Sequence, residues 1–318
     1  MCDLGYRNIG FPCLVCSNKI LGFVITLLSM IKVCFKLRSG DILIIQYPLK
    51  KYYTLLCNIV HYRGAKVITL IHDLGSFRRK RLTVLQEIDR LQNSDSMSAW
   101  LQTKGCEVPK GELKIWDYLS PAIVLNKIEP ATDYTVVYAG ALGYNKNRFL
   151  YELDRLPRQW HLSVYGKGLE ADKILNKEYF SYNGFLPADQ LISSVQGDFG
   201  LVWDGDSYEA CTGNYGEYLR YNNPHKVSLY VRCHLPLIIW EKAALAPFIK
   251  EKEIGICINS LEELDGKLEK LTVDDYFKMK SRVIEISNLL SVGYFFTKAL
   301  DEAVKFLTKS DVADEGRN

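Results

Sequence analysis

Hydrophobic residues fall along this chain in short solid blocks rather than in strict alternation with polar ones. The run Asp41-Ile42-Leu43-Ile44-Ile45-Gln46-Tyr47-Pro48 reads as a buried strand stopped by its proline, and Lys66-Val67-Ile68-Thr69-Leu70-Ile71 as a second. Helical patterns precede them at 19–37 and 52–62, and two more follow at 80–92 and 96–104. Glu112-Leu113-Lys114-Ile115-Trp116-Asp117-Tyr118 reads as a last strand or its exit. After the polar break Pro130-Ala131-Thr132-Asp133 the pattern restarts, with strands at 134–140, 160–164, 180–182, 199–203, 235–239 and 255–258. Helices are expected at 146–154, 188–195, 224–232 and 241–250, then over 260–309, with a frayed tail. Fully apolar strands separated by helices specify parallel sheets covered on both faces, so the fold class is α/β, in two successive units. Met1 to Gly10 offers almost no apolar run, so the first unit has either a very short opening strand or a start downstream of it.

Length and composition narrow the class without naming a chemistry. The 318 residues suit two domains, and 48% hydrophobic with 24% charged content describes a folded globular protein. A formal charge of +3 is too small for a nucleic-acid partner, which needs a dense basic face. The charge is local, however: Lys50-Lys51 and Arg78-Arg79-Lys80-Arg81 lie in the first half, as a solvated surface or a face toward anionic lipid. Among nine cysteines only Cys13 and Cys16 are closely spaced, and no second pair follows at zinc-site spacing, so a reduced, cytoplasmic chain is expected. The apolar run from Ile20 to Ile31 is interrupted by Lys32 and falls short of the ~20 residues of a membrane span. It carries no signal-peptide frame, leaving a buried or membrane-surface helix.

Polar residues concentrate between two apolar strands at 198–240. Asp198-Phe199-Gly200-Leu201-Val202-Trp203-Asp204-Gly205-Asp206 runs a strand into a turn, and Tyr218-Leu219-Arg220-Tyr221-Asn222-Asn223-Pro224-His225-Lys226 leads into an apolar helix. A helix start offers unpaired N–H groups and the positive end of its dipole, and Lys226 adds a mobile cation, which together suit a phosphate. Its plainer role is a surface lysine; as a phosphate ligand its removal is expected to weaken binding while leaving folding intact. Asn222 and Asn223 either meet ribose and phosphate oxygens or cap the helix at Pro224, and His225 is equally readable as structural. Gly140, Gly143, Gly166, Gly168 and Gly184 end successive strands on the side where open α/β sheets bind ligands, although glycine is also the common turn residue.

These stretches resemble a family of small bacterial sugar-nucleotide transferases that includes glucosyltransferase 3 and β-1,6-galactofuranosyltransferases. The resemblance rests on Asp198 to Gly205, on Gly216-x-Tyr218-Leu219-x-x-Asn222-x-Pro224-His225-Lys226-x-Ser228-Leu229-Tyr230, and on Leu235-Pro236-Leu237-Ile238-Ile239-Trp240. Ile115-Trp116-Asp117-Tyr118 and Tyr138-Ala139-Gly140 support it, and it extends from about residue 41 onward. It implies a GT-B fold, two facing Rossmann-like domains with parallel sheets. These would be an acceptor-side domain at 1–131, a nucleotide-sugar domain at 132–295 and a returning helix at 296–318. The amino terminus departs from the family's glycine-rich, basic opening.

The activity implied is transfer of a hexosyl group (galactofuranose, galactose or glucose) from a UDP-sugar to a glycan or lipid-linked oligosaccharide hydroxyl, with inversion. The atypical amino terminus keeps an alternative open, an impaired nucleotide-sugar-binding protein or a regulatory subunit of a transferase complex. Donor binding is assigned to Lys226, Asn222, Asn223, Tyr221, Gly140, Gly166 and Phe185. Asp73, directly after the strand ending at Ile71, is the candidate base, with His72 its rival and capping its plainer role. Asp204 and Asp206 read as turn formers, so no cofactor and no metal are expected, and Lys226 with helix N–H groups would neutralise the diphosphate. Peripheral contact with the inner face of the plasma membrane and self-association complete the partner expectations.

Overall fold

The computed structural model describes residues 5–9, 19–47, 53–71, 109, 111–125 and 133–315. Strand β1 (Ile42–Tyr47) pairs in parallel with β2 (Lys66–Ile71), Ile42 beside Lys66 and Tyr47 beside Ile71. Parallel neighbours need a crossover, here α2 (Tyr53–Tyr62), and α1 (Lys19–Lys36) precedes β1. Val33, Leu37, Leu43, Ile45, Leu56 and Val60 close a small core between these elements.

The second sheet holds β3 (Thr135–Ala141), β4 (His161–Lys167), β5 (Phe180–Tyr182), β6 (Phe199–Val202), β7 (Leu237–Trp240) and β8 (Gly255–Ile258). All its pairings are parallel, in the order β5-β4-β3-β6-β7-β8. The chain steps outward from β3 through β4 to β5, then crosses back to the other side of β3. That reversal makes a topological switch point between β3 and β6, where the connections diverge, the place at which open α/β sheets bind ligands. Every residue of β6 and β7 is buried, as covered central strands require. The helices are α3 (Phe149–Glu152), α4 (Ala188–Ser194), α5 (Gly213–Tyr218), α6 (His225–Arg232), α7 (Ala246–Lys252), α8 (Leu264–Glu269), α9 (Val273–Ser291) and α10 (Tyr294–Glu315). Trp160, Trp203, Trp240, Tyr138 and Tyr230 are the largest side chains sealed in the main core.

Several elements differ from the expectation. Helix α7 starts at Ala246 rather than 241, because Pro247 lacks an N–H and fits only the first turn. The helix at 146–154 shortens to α3 and a single 3₁₀ turn, Leu153–Arg155. Residues 111–125 contain no strand, and several of their backbone polar groups pair with other elements instead. Ser228 Oγ donates to Trp116 O (2.5 Å), Arg232 Nη2 to Ser120 O and Ala122 O (3.0 Å each), and Tyr118 N to Leu290 O (3.2 Å). Ile115 is sealed within the main core. The segment is thus a strap fastened along α6 and the end of α9. It also caps α10: Asp117 accepts from Phe295 N (3.2 Å) and Phe296 N (2.6 Å). Further along α10, Leu307 O accepts from Lys66 Nζ of β2 (2.6 Å). The helices expected at 80–92 and 96–104 lie outside the described residues.

Candidate functional site

Lys226 sits in the first turn of α6, and its side chain runs to the switch point. Its Nζ donates to Asp204 Oδ1 (2.9 Å), Trp203 O (3.2 Å) and Tyr138 Oη (3.3 Å). An ammonium has three hydrogens, and three acceptors are in place for them. Tyr138 Oη in turn donates to the same Asp204 Oδ1 (3.0 Å), while its ring lies 4.6 Å from the ammonium. Burial, and next the Asp204 carboxylate, pushes the Tyr138 phenol well above its ordinary range, so it keeps its proton and its donor role. Tyr230, on α6, accepts from Ala139 N (2.7 Å) and fixes β3 one residue further on. The lysine therefore belongs to a nearly buried network that ties α6 to the carboxyl ends of β3 and β6.

The backbone at that end is closely fitted. Gly205 has φ +109°, and a Cβ there would fall 2.1 Å from Thr212 O. Its conformation lets Asp206 N reach Thr212 O (3.2 Å) and folds the stretch between β6 and α5 back on itself. Gly140 and Gly166 are register partners on β3 and β4, where a Cβ on Gly166 would meet Gly140 O at 1.8 Å. Gly166 N donates to Gly184 O (2.8 Å). Phe185 follows, half-exposed, with the Lys167 ammonium 4.2 Å from its ring centre. Gly140, Gly166 and Phe185 thus line the carboxyl ends of three adjacent strands.

Asn222 and Asn223 approach from the turn before α6. Neither caps that helix: Pro224 occupies the N-cap position without a side-chain bond. Asn223 Nδ2 instead donates to Lys114 O of the strap (3.0 Å), which takes that side chain away from the helix start. The Oδ1 atoms of both asparagines are buried without a hydrogen-bond partner. Such atoms are uncommon in folded chains and mark places where a ligand or water supplies a donor. Tyr221 lies in the same turn, its N–H on Tyr218 O (3.0 Å). His225 is exposed and stacks on Trp116, ring centres 5.4 Å apart.

Lys226, Gly140 and Gly166 are thereby joined through β3, and the asparagines lie just before Lys226. His72 and Asp73 lie outside the described residues, directly after β2. Asp204 forms a turn as expected but also holds the lysine, a role that local reading missed. Tyr138 was missed as well, although a phenol inside an otherwise apolar strand was a visible signal.

Two family profiles match the chain: "Glucosyltransferase 3-like, N-terminal domain" over residues 1–115 and "Glucosyltransferase 3-like, C-terminal domain" over 136–303. The β-1,6-galactofuranosyltransferase WbbI of Escherichia coli (strain K12) is 28% identical over 308 residues, spanning 94% of this chain and 90% of that protein. Glucosyltransferase 3 of Streptococcus gordonii is 28% identical over 283 residues, 83% and 79% of the two chains. Among solved structures, Anabaena Alr3699/HepE in complex with UDP has a TM-score of 0.56 at 12% identity, covering 92% of this chain and 84% of its own. Sucrose-phosphate synthase (tll1590) from Thermosynechococcus elongatus has 0.54 at 13%, covering 94% and 81%. The chain has a GT-B fold and belongs to the glucosyltransferase 3-like family.

Proposed function

We propose that this glycosyltransferase moves a hexosyl group, galactofuranose, galactose or glucose, from a UDP-sugar to a glycan or lipid-linked oligosaccharide hydroxyl, with inversion. The observation that carries the reading is the seat of Lys226, a cation held at the switch point between β3 and β6 by Asp204, Trp203 and Tyr138. The names of the relatives support the donor class: one is a galactofuranosyltransferase, one a glucosyltransferase, and the HepE structure contains UDP.

The diphosphate draws one Nζ hydrogen of Lys226 away from its internal acceptors and takes the charge of the ammonium in exchange. The orphaned Oδ1 atoms of Asn222 and Asn223 accept from donor hydroxyls, with Tyr221 beside them. Gly140 and Gly166 keep the strand ends low, and Phe185 offers a ring face next to them. In the transfer the acceptor oxygen bonds to the anomeric carbon as the bond to UDP breaks, UDP leaves as the anion, and the hydroxyl proton passes to Asp73 or to His72. The step is metal-independent in this reading, supported by the engagement of Asp204 with Lys226 and Tyr138.

The test is incubation of the full chain with UDP-galactofuranose, UDP-galactose and UDP-glucose against lipid-linked and peptide-linked glycans, reading UDP release and product mass. Turnover of one donor supports the proposal. Tight UDP binding with no transfer to any acceptor would replace it with a binding role.

A further inference from the structure

We propose that the outward face of α1 docks the protein on an anionic lipid surface. The inference is independent of the donor reading and starts from an inversion of the usual helix pattern. A helix packed on a globular unit turns its polar side to water. Helix α1 instead is apolar on opposite sides. Met30, Val33 and the following Leu37 are buried, while Ile20, Val24, Leu28, Ile31 and Phe35 are exposed, Ile20 and Phe35 by more than three-quarters (77% and 78%). At about 100° per residue these five positions fall within an arc of roughly 80°, one continuous stripe along the helix. Lys32 and Lys36 border the stripe on one side, and the helix contains no carboxylate.

Length and charge select the occupant. No helix among the described residues is long and apolar enough to cross a membrane, and the inner face of α1 is already taken up by its own unit. A helix with one apolar face exposed and lysines at its margin suits a position in the plane of the lipid headgroups, with the apolar side chains below them. The charge of the chain is divided accordingly: residues 1–131 contain 18 Lys and Arg against 10 Asp and Glu, while the remainder contains 22 against 27. Positive charge gathered in the half that bears the stripe favours anionic headgroups.

The experiment is co-sedimentation of the full chain with phosphatidylcholine vesicles, with and without phosphatidylglycerol, at low and high salt. The parent should sediment with the anionic vesicles and be released by salt. The double variant Leu28→Ser/Phe35→Ser should lose at least roughly tenfold in vesicle affinity. Lys32→Gln/Lys36→Gln should lose several-fold and lose its salt dependence. Leu28, Phe35 and Lys36 are exposed and Lys32 is partly so, and an unchanged far-ultraviolet spectrum and UDP affinity will show that fold and donor site are intact. Failure of the parent to sediment at low salt would overturn the proposal, as would undiminished sedimentation of both variants. A solution dimer dissolved by Leu28→Ser/Phe35→Ser, without vesicle binding, would assign the face to a second copy and also overturn it.

Discussion

Lys226 Nζ and Asp204 Oδ1 lie 2.9 Å apart, each side chain less than 15% exposed, so the cation that would meet the donor is also the counter-ion of a nearly buried carboxylate. Removing it should therefore have a structural consequence, unlike the expectation that folding would be left intact. Lys226→Ala is expected to lower folding stability by about 1–3 kcal/mol, less than a fully buried pair would lose because some solvent reaches it. UDP affinity should fall by ~10- to 100-fold. The double variant Lys226→Met/Asp204→Asn should regain most of the stability and none of the affinity. Equal denaturation midpoints for parent and Lys226→Ala would show that the pair does not support the fold, and equal calorimetric UDP affinity would remove Lys226 from the donor site.

Asp204→Asn alone separates charge from hydrogen bonding. Its amide oxygen can still accept from Tyr138 and Lys226, but the ammonium is no longer neutralised and a negative charge near the diphosphate is gone. UDP binding should tighten about 3- to 10-fold while stability falls modestly. Weaker UDP binding in this variant would mean that the carboxylate positions the lysine productively rather than competing for it.

Asp117 gives a second, independent test, on the strap. Its carboxylate accepts two amides in the first turn of α10, so Asp117→Ala should cost about 1–2 kcal/mol and Asp117→Asn less. Burial holds this carboxyl above its ordinary range, and the Phe296 and Phe295 amides offset that only in part. The folded state then takes up the proton at a higher pH than the unfolded state, whose value is near ~3.9. As pH falls from neutral through the folded value, this residue adds stability instead of removing it. The difference in Tm between the parent and Asp117→Asn should move in the parent's favour on acidification. A constant difference, or one moving the other way, would contradict that assignment.

Apolar blocks made most of the architecture legible. Strands β2 and β5 match their predicted limits, and β1 begins and ends one residue inside its run, because a buried parallel strand is written as a solid apolar word bounded by turn residues. The strap was not legible as such. Leu113 and Ile115 alternate with Glu112 and Lys114 like a strand, but the segment's backbone partners are Ser228, Arg232 and Leu290, more than a hundred residues away. The candidate site shows the same division. Asp204-Gly205-Asp206 spells a turn locally, and nothing local shows that Asp204 meets a lysine 22 positions later. The place of Lys226 at the start of α6 was legible, since a polar turn before an apolar helix is a sequence property.

EDTA treatment tests the charge-neutralisation step. With the diphosphate met by Lys226 and the helix start, chelated enzyme should keep its parental transfer rate. A rate lost on chelation and restored only by Mn²⁺ or Mg²⁺ would transfer that role to a metal ion.

Asp73→Asn is expected to keep the donor affinity and cut transfer by roughly 10²- to 10⁴-fold, the range for loss of a positioned proton acceptor. The argument has two links. Strand β2 is paired with β1 along its whole length and ends in the buried Ile71, so the residues that continue it start from a fixed point. The carboxyl end of a parallel strand is also where α/β sheets place their reactive groups. Asparagine keeps the volume of aspartate without its basicity, so the defect should lie in kcat and persist at saturating UDP-sugar. His72→Ala is the comparison, because a greater loss there would assign the proton to the imidazole. Near-parental turnover of Asp73→Asn and of His72→Ala with the true acceptor would place the base on another element and remove the end of β2 from the chemistry.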